Sequence, residues 1–99
     1  MASAAKEAGS GGRAMFALRR ALKLAPEDSE AWTMLGDISL EIYRANSDPA
    51  RIIEAVAAWK TSLKLDPAQP RLRNLLETYG PTAEKFQKQK DAGTKPQEN

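Results

Sequence analysis

Three acidic residues, Glu30, Asp37 and Glu41, form the clearest set of side chains whose spacing could carry chemistry. They lie seven and four residues apart, which places their carboxylates on one face of a helix. This acidic stripe could bind a basic segment of a partner, hold a metal ion through its oxygens, or be a solvated helix face. Oxygen-only metal sites need more convergent ligands than these three, so the sequence predicts no metal site.

The chain contains neither cysteine nor histidine. Their absence excludes disulfides, zinc sites with cysteine or histidine ligands, thiolate nucleophiles and serine–histidine triads. The remaining carboxylates, lysines and tyrosines form no recognisable constellation, and acid–base work by carboxylates needs a pocket that shifts their pKa values. We therefore predict a non-catalytic protein without a cofactor.

Basic residues cluster near both ends of the central region. Arg13, Arg19, Arg20 and Lys23 form one basic helix face, and several lysines follow Lys85, but no aromatic platforms alternate with them. The excess of lysine and arginine over acidic residues gives a net charge of only +2. We interpret these residues as solvated faces and do not expect nucleic-acid binding.

The 99 residues are enough for one small domain. A content of 41% hydrophobic and 28% charged residues is typical of a globular protein. No apolar run is long enough to span a membrane, and the first residues lack the apolar segment of a secretory signal. We expect a cytoplasmic protein that does not insert into membranes.

The elements that must position these side chains are helices, because apolar residues recur at helical spacing and no segment favours a strand. Trp32, Leu35 and Ile38 follow this spacing, and prolines separate the periodic segments. The sequence thus predicts an all-α fold of four to five helices. We expect the following segments: a flexible tail over residues 1–12, a helical domain over 13–79, a short C-terminal helix over 80–90 that begins after a break at Gly80-Pro81, and a flexible tail over 91–99.

An internal repeat organises the helical domain. The segment from Arg20 to Pro26 aligns with the segment from Thr61 to Pro67, with an offset of 41 residues, and the two share Leu-Lys-Leu and the proline. The offset also pairs Ala14 with Ala55, Ala17 with Ala58, Leu18 with Trp59 and Leu35 with Leu76. Because the similarity continues across the turn into the next helix, a chance match of one short segment does not explain it.

At these positions the chain resembles the tetratricopeptide repeat family. The match consists of Trp32-x2-Leu35-Gly36, then Ala55-x3-Trp59 and Pro67, preceded by a half-repeat with Ala14-x3-Leu18 and Pro26. The resemblance implies antiparallel helix-turn-helix repeats stacked as an α-α superhelix, here about one and a half to two units. Ser39, Arg73 and Glu77 depart from the family pattern.

The repeat offset also departs from the 34-residue period of the family by seven residues. Seven residues are close to two helical turns, so an insertion near the hairpin preserves the buried faces. We place it around Ile42 to Ala50 and expect a longer first helix followed by a looser turn.

The resemblance also implies which residues form the repeat core. Gly36 and Ala55 let two helices approach closely, and Trp32 and Trp59 fill the adjoining space, which we favour over a ligand-stacking role. The full expected core is Ala14, Leu18, Ala21, Pro26, Trp32, Leu35, Gly36, Ala55, Trp59, Ser62 and Pro67.

In the family, the first helix of each pair lines a groove that takes a peptide or helix of a partner protein. The register implies that the groove residues here are Glu30, Thr33, Asp37, Leu40, Glu41, Arg71, Asn74 and Thr78. Acidic residues on the first of these helices favour a basic partner. The basic clamp with which some family members bind a C-terminal carboxylate is not expected, because Glu30, Thr33 and Asp37 occupy its positions.

Two functions follow as hypotheses. The first is a scaffold or adaptor that binds a partner protein through this groove. The second is a structural subunit or self-assembling protomer, because repeat stacks usually need about three units and this chain has fewer. Exposed helical ends would then be covered by a second copy in a homo-oligomer.

Overall fold

The computed structural model describes the backbone of residues 2–94 and the side chains of residues 12–90. In that range the chain forms four helices and no strand, which confirms the predicted all-α class. Neighbouring helices pack in the order of the chain, α1 on α2, α2 on α3 and α3 on α4. The helices are α1 (Ala2–Leu24), α2 (Ser29–Asn46), α3 (Pro49–Leu65) and α4 (Pro70–Thr94).

The hairpin between α2 and α3 is tight. Ser47 adopts a left-handed conformation with φ of 55°, and its N–H donates to the Tyr43 carbonyl at 2.6 Å. Asp48 then caps α3 by accepting from Ala50 N at 3.1 Å, and Pro49 occupies the first turn. The predicted looser turn is therefore wrong, and the extra residues of the repeat lengthen the two helices.

The structure differs from the sequence-based expectation at the N-terminal end, where residues 2–12 were expected to be a tail. They continue α1 without interruption. The segment before the glycines is rich in alanine, the residue with the highest helix propensity, and each helical glycine costs only about 1 kcal/mol relative to alanine.

The C-terminal segment also differs from expectation, because α4 runs through Gly80-Pro81 as one helix to Thr94. Proline removes one helical hydrogen bond and disfavours a helix interior by about 3 kcal/mol. Burial offsets this cost: an apolar stripe at spacings of four and three residues continues past the proline and packs on the core. Its members are Leu72, Leu76, Tyr79, Ala83 and Phe86. The expected tail thus begins no earlier than residue 95, and residues 95–99 lie outside the described residues.

The contact between Gly36 and Trp59 organises the core between α2 and α3. Trp59 and Ala55 are fully buried. A Cβ added to Gly36 would lie 2.5 Å from Trp59 Cδ1, so the indole ring occupies the space that the missing side chain leaves. The predicted close approach at Gly36 is therefore present, with Trp59 as the residue that fills it.

Other expected core residues are placed differently. Trp32 is only half-buried, packs on the cluster between α1 and α2, and donates from Nε1 to the Pro26 carbonyl at 2.8 Å. Ala21, Pro26 and Pro67 are exposed, whereas Ala14 and Leu18 are half-buried. For Ala21 the cause is its position on α1, because no described helix packs on the outer side of that helix. Pro26 and Pro67 lie in the turns before α2 and α4. Leu35, Gly36, Ala55, Trp59 and Ser62 are buried as expected.

Ser39 occupies the position where the family pattern has an aromatic residue, and its fully buried Oγ lacks a hydrogen-bond partner. An unsatisfied buried hydroxyl costs about 1–3 kcal/mol. We expect Ser39→Ala to raise the free energy of unfolding by about 1 kcal/mol, measured by urea denaturation.

Ser62→Ala is the matched control for that prediction. Ser62 is equally buried, but its Oγ donates to the Ser29 carbonyl at 2.8 Å and accepts from Gln69 Nε2 at 3.0 Å. Its removal should lower the free energy of unfolding by about 1–3 kcal/mol. Equal effects of the two substitutions would contradict the assignment of Ser39 as unsatisfied.

Candidate functional site

The candidate site is the surface formed by the predicted groove residues of α2 and α4, here called the α2–α4 face. The two helices are not consecutive in the chain. Asp37 on α2 contacts Arg71 on α4, and Thr33 on α2 contacts Gln69 in the turn before α4. The face consists of Glu30, Thr33, Asp37, Leu40 and Glu41 on α2 and of Arg71, Asn74 and Thr78 on α4.

Asp37 binds Arg71 in a bidentate ion pair. Arg71 Nη2 lies 3.0 Å from Asp37 Oδ2, and Nη1 lies 3.4 Å from Oδ1. Asp37 Oδ1 also accepts from Trp59 Nε1 at 3.2 Å, so the carboxylate bridges the buried indole and the guanidinium. The Asp37 side chain is 38% exposed and that of Arg71 is 61% exposed. The pair therefore lies at the surface and compensates the charge of one member of the acidic stripe.

Thr33 belongs to a polar cluster where α2, α3 and the α3–α4 turn meet. Its Oγ1 lies 2.6 Å from Ser62 Oγ and donates to Gln69 Oε1 at 3.2 Å. Gln69 Nε2 donates to the Asp66 carbonyl at 2.8 Å as well as to Ser62. Motif analysis did not single out Gln69, because it lies in a turn between motif positions and carries no periodic signal.

The remaining residues of the face divide into supporting and exposed side chains. Leu40 is half-buried and packs on the core cluster. Thr78 Oγ1 donates to the Asn74 carbonyl at 3.1 Å, which satisfies its hydroxyl within α4. Glu30 and Glu41 are exposed and have no ion pair within the described side chains. The unpaired negative charge of the predicted stripe is thus carried by these two glutamates.

The α2–α4 face carries charged and hydrogen-bonding side chains at the surface. Among the described residues no group of three acidic side chains is close enough to hold a metal ion. None of the helices in residues 2–94 is both long and apolar enough to cross a membrane. What the face presents is an ion pair, two carboxylates and the side chain of Asn74.

Two cavities lie away from this face, between α3 and α4. The larger, about 540 Å³, is lined by Val56, Lys60 and Leu76 among others, and the smaller, about 350 Å³, lies beside Pro49 and Phe86. No residue of the α2–α4 face lines either of them. Sequence reasoning did not identify these cavities, because they depend on how α4 continues past Pro81.

Comparison with known proteins gives one match to a family. The model of the tetratricopeptide repeat family matches residues 1–38, which cover α1, the following turn and the first half of α2. Curated proteins and solved structures give no match. Repeats of this family generally act in protein–protein interactions through extended surfaces. Residues 1–38 are thus similar to a tetratricopeptide repeat, and the described residues form the all-α helical fold that the resemblance implies.

Proposed function

We propose that the chain is a non-catalytic interaction module, a scaffold or adaptor that binds a peptide or helix of a partner protein on the α2–α4 face. The observation that carries this proposal is the Asp37–Arg71 pair, which links two helices that are distant in sequence. A surface shared by two linked helices can contact a segment along both of them, and a rigid surface loses little entropy on binding. The exposed Glu30, Glu41 and Asn74 flank this link.

The charges of the face favour a partner with basic residues. Glu30 and Glu41 form no ion pair within the described side chains, whereas Arg71, the only basic side chain of the eight, is already paired with Asp37. A lysine or arginine of a partner would gain complementary charge at the glutamates without displacing that pair. A peptide that ends in an acidic segment would meet repulsion instead.

The test is recovery of partner proteins from the source organism with the full-length chain as bait, followed by mass spectrometry. We expect a reproducible set of proteins with the wild type and loss of that set with the double variant Glu41→Lys/Asn74→Glu. The exposed residues Lys64 and Glu84 provide a matched control, because Lys64→Glu/Glu84→Lys changes charges away from the face. Circular dichroism of all three proteins verifies that the folds are equal.

The proteins recovered with the control variant show whether a loss of partners is specific to the α2–α4 face. Retention of the partners by the control variant supports the proposal. Recovery of the same proteins with the face variant, or of none with the wild type, would contradict binding at the α2–α4 face.

Self-assembly is the competing function, favoured by one observation. Leu24 and Phe16 on α1 are 89% and 63% exposed, the two largest exposed fractions among the large apolar side chains of the described residues. Sedimentation velocity over a roughly hundredfold range of protein concentration separates the two functions. A sedimentation coefficient that rises with concentration would favour self-assembly over the interaction module.

A further inference from the structure

A second surface, on the opposite side of α1 from its packed face, is distinct from the α2–α4 face. Arg13, Phe16, Ala17, Arg20 and Leu24 share this side of the helix, here called the outer α1 face. All five are exposed, and Arg20 lies over the Phe16 ring at 5.8 Å from its centroid. Within the described side chains neither Arg13 nor Arg20 has an acidic partner. The face combines exposed apolar area with uncompensated positive charge.

The internal repeat shows what covers the corresponding face elsewhere in the molecule. With the offset of 41 residues, Ala17 corresponds to Ala58 and Arg13 corresponds to Glu54. Ala58 is only 1% exposed and packs in one cluster with residues of α1 and α2, whereas Ala17 is exposed. The outer α1 face is therefore the repeat equivalent of a surface that a helix covers on α3.

The contact between α1 and α3 defines the pattern of such a covering helix. Met15 and Leu22 of α1 form one cluster with Ala58, and Arg19, between them, forms an ion pair with Glu54. The covering helix thus presents an apolar residue, a charged residue four positions later and another apolar residue three positions after that. Its charge is opposite to that of the residue it faces.

The repeat relates the outer α1 face to the covered face of α3, so the same contacts specify which helix could cover the outer α1 face. The apolar residues would lie over Ala17, and the charged residue would face Arg13 in place of Glu54. Because Arg13 is cationic, the facing residue must be acidic. We infer that the outer α1 face binds an amphipathic helix of another protein with the pattern apolar-x3-acidic-x2-apolar.

A second copy of this chain fits that requirement poorly. The helix that would stack on α1 in the repeat register is α3, whose residues Val56, Lys60 and Leu63 correspond to Met15, Arg19 and Leu22. The residue types match, but Val56 is only 5% exposed because it packs in the core cluster with α4, and Lys60 would face Arg13. This juxtaposition of like charges disfavours head-to-tail stacking of identical copies and selects a partner that is acidic at the same position.

Binding of synthetic peptides to the full-length protein tests the inference by fluorescence anisotropy. The probe is a labelled helical peptide of about 18 residues with Leu, Glu and Leu at the derived spacing in an alanine–glutamine background, and a second peptide has Lys for Glu. We expect the acidic peptide to bind about tenfold more tightly than the basic one. Arg13→Glu should reverse this order, a result that a general loss of structure cannot produce.

An apolar substitution provides an independent test with a matched control. Leu24→Ser should lower the affinity for the acidic peptide at least about fivefold, because it removes exposed apolar contact area. Leu65→Ser, the repeat counterpart on α3 with 41% exposure, should leave the affinity unchanged. Equal effects of the two substitutions would contradict binding at the outer α1 face.

Three further outcomes would overturn the inference. The first is failure of both peptides to bind at hundreds of micromolar. The second is self-association of the wild type that Leu24→Ser abolishes, which would show that a second copy occupies the face. The third is binding to vesicles of anionic phospholipid that Arg13→Glu abolishes, together with equal affinity for the two peptides. None of these results bears on the α2–α4 face, whose variants lie on other helices.

Discussion

Replacing Gly36 with alanine is expected to lower the free energy of unfolding by about 3 kcal/mol, at the upper end of typical overpacking effects. The added Cβ would lie 2.5 Å from Trp59 Cδ1, much closer than van der Waals contact permits. The indole is fully buried and cannot rotate away without disturbing its neighbours. Alanine favours a helix over glycine by about 1 kcal/mol, which offsets only part of this cost. Urea denaturation followed by circular dichroism measures the change.

Gly80→Ala is the matched control for this prediction. Gly80 also lies inside a helix, but an added Cβ would meet no atom within 4 Å. The gain in helix propensity is partly offset because a residue with a Cβ before Pro81 is disfavoured in the helical conformation, so the free energy of unfolding should change by less than about 1 kcal/mol. If both substitutions stabilise the protein, the close approach of α2 and α3 at Gly36 is not as described.

Truncating Trp59 to alanine should have the largest effect of any single substitution, a loss of about 3–5 kcal/mol. The side chain is fully buried, and its ring lies 6.1 Å from the ring of Tyr79 on α4. The change leaves a cavity between α2, α3 and α4. It also removes the indole N–H that donates a hydrogen bond to Asp37. Because small domains are stable by only about 5–15 kcal/mol, the variant should be close to unfolding, with a midpoint at very low urea.

Trp32→Ala serves for comparison, because it truncates the second tryptophan of the chain in the same way. Trp32 is half-buried at the edge of the α1–α2 cluster and donates one hydrogen bond, to Pro26. Trp32 buries less apolar area than Trp59, so its truncation should lower the free energy of unfolding by a clearly smaller amount. A larger loss for Trp32→Ala than for Trp59→Ala would overturn the assignment of Trp59 as the centre of the core.

The two predictions also concern function, because the same residues support the proposed binding surface. Trp59 Nε1 donates to Asp37, and Asp37 in turn binds Arg71 on α4. Packing at Gly36 therefore fixes the position of an ion pair at the surface. Trp59→Phe, which retains a large ring but lacks the N–H donor, would separate the role of the hydrogen bond from that of volume.

Much of the architecture was predictable because its causes are local. Proline positions, capping residues and helical spacing of apolar side chains depend on the chain within a few residues, and the hairpins at Pro26, Pro49 and Pro67 follow from them. The family resemblance also implied that Gly36 permits a close approach of two helices and that Trp59 fills the adjoining space. The segment 2–12 was not predictable, since composition alone does not show that an alanine-rich helix continues through glycines.

The groove residues remain a prediction from the family register, and the structure shows contacts for only some of them. The register of α2 did not show that Asp37 binds Arg71 of α4 or that Thr33 contacts Gln69 in the turn before α4. Both contacts join residues more than thirty positions apart. Their existence depends on the angle between helices, which no local pattern encodes.

By itself, the sequence determined that this protein is a set of amphipathic helices in a repeat, without the side chains for thiol, imidazole or zinc chemistry. Those properties are fixed by residue types and short spacings. Only the tertiary structure decided that α4 continues through Pro81, that Asp37 is paired and that the outer side of α1 is uncovered. Each of these depends on which surfaces distant helices bury, and the free energy of burial outweighs the local preference of a single residue.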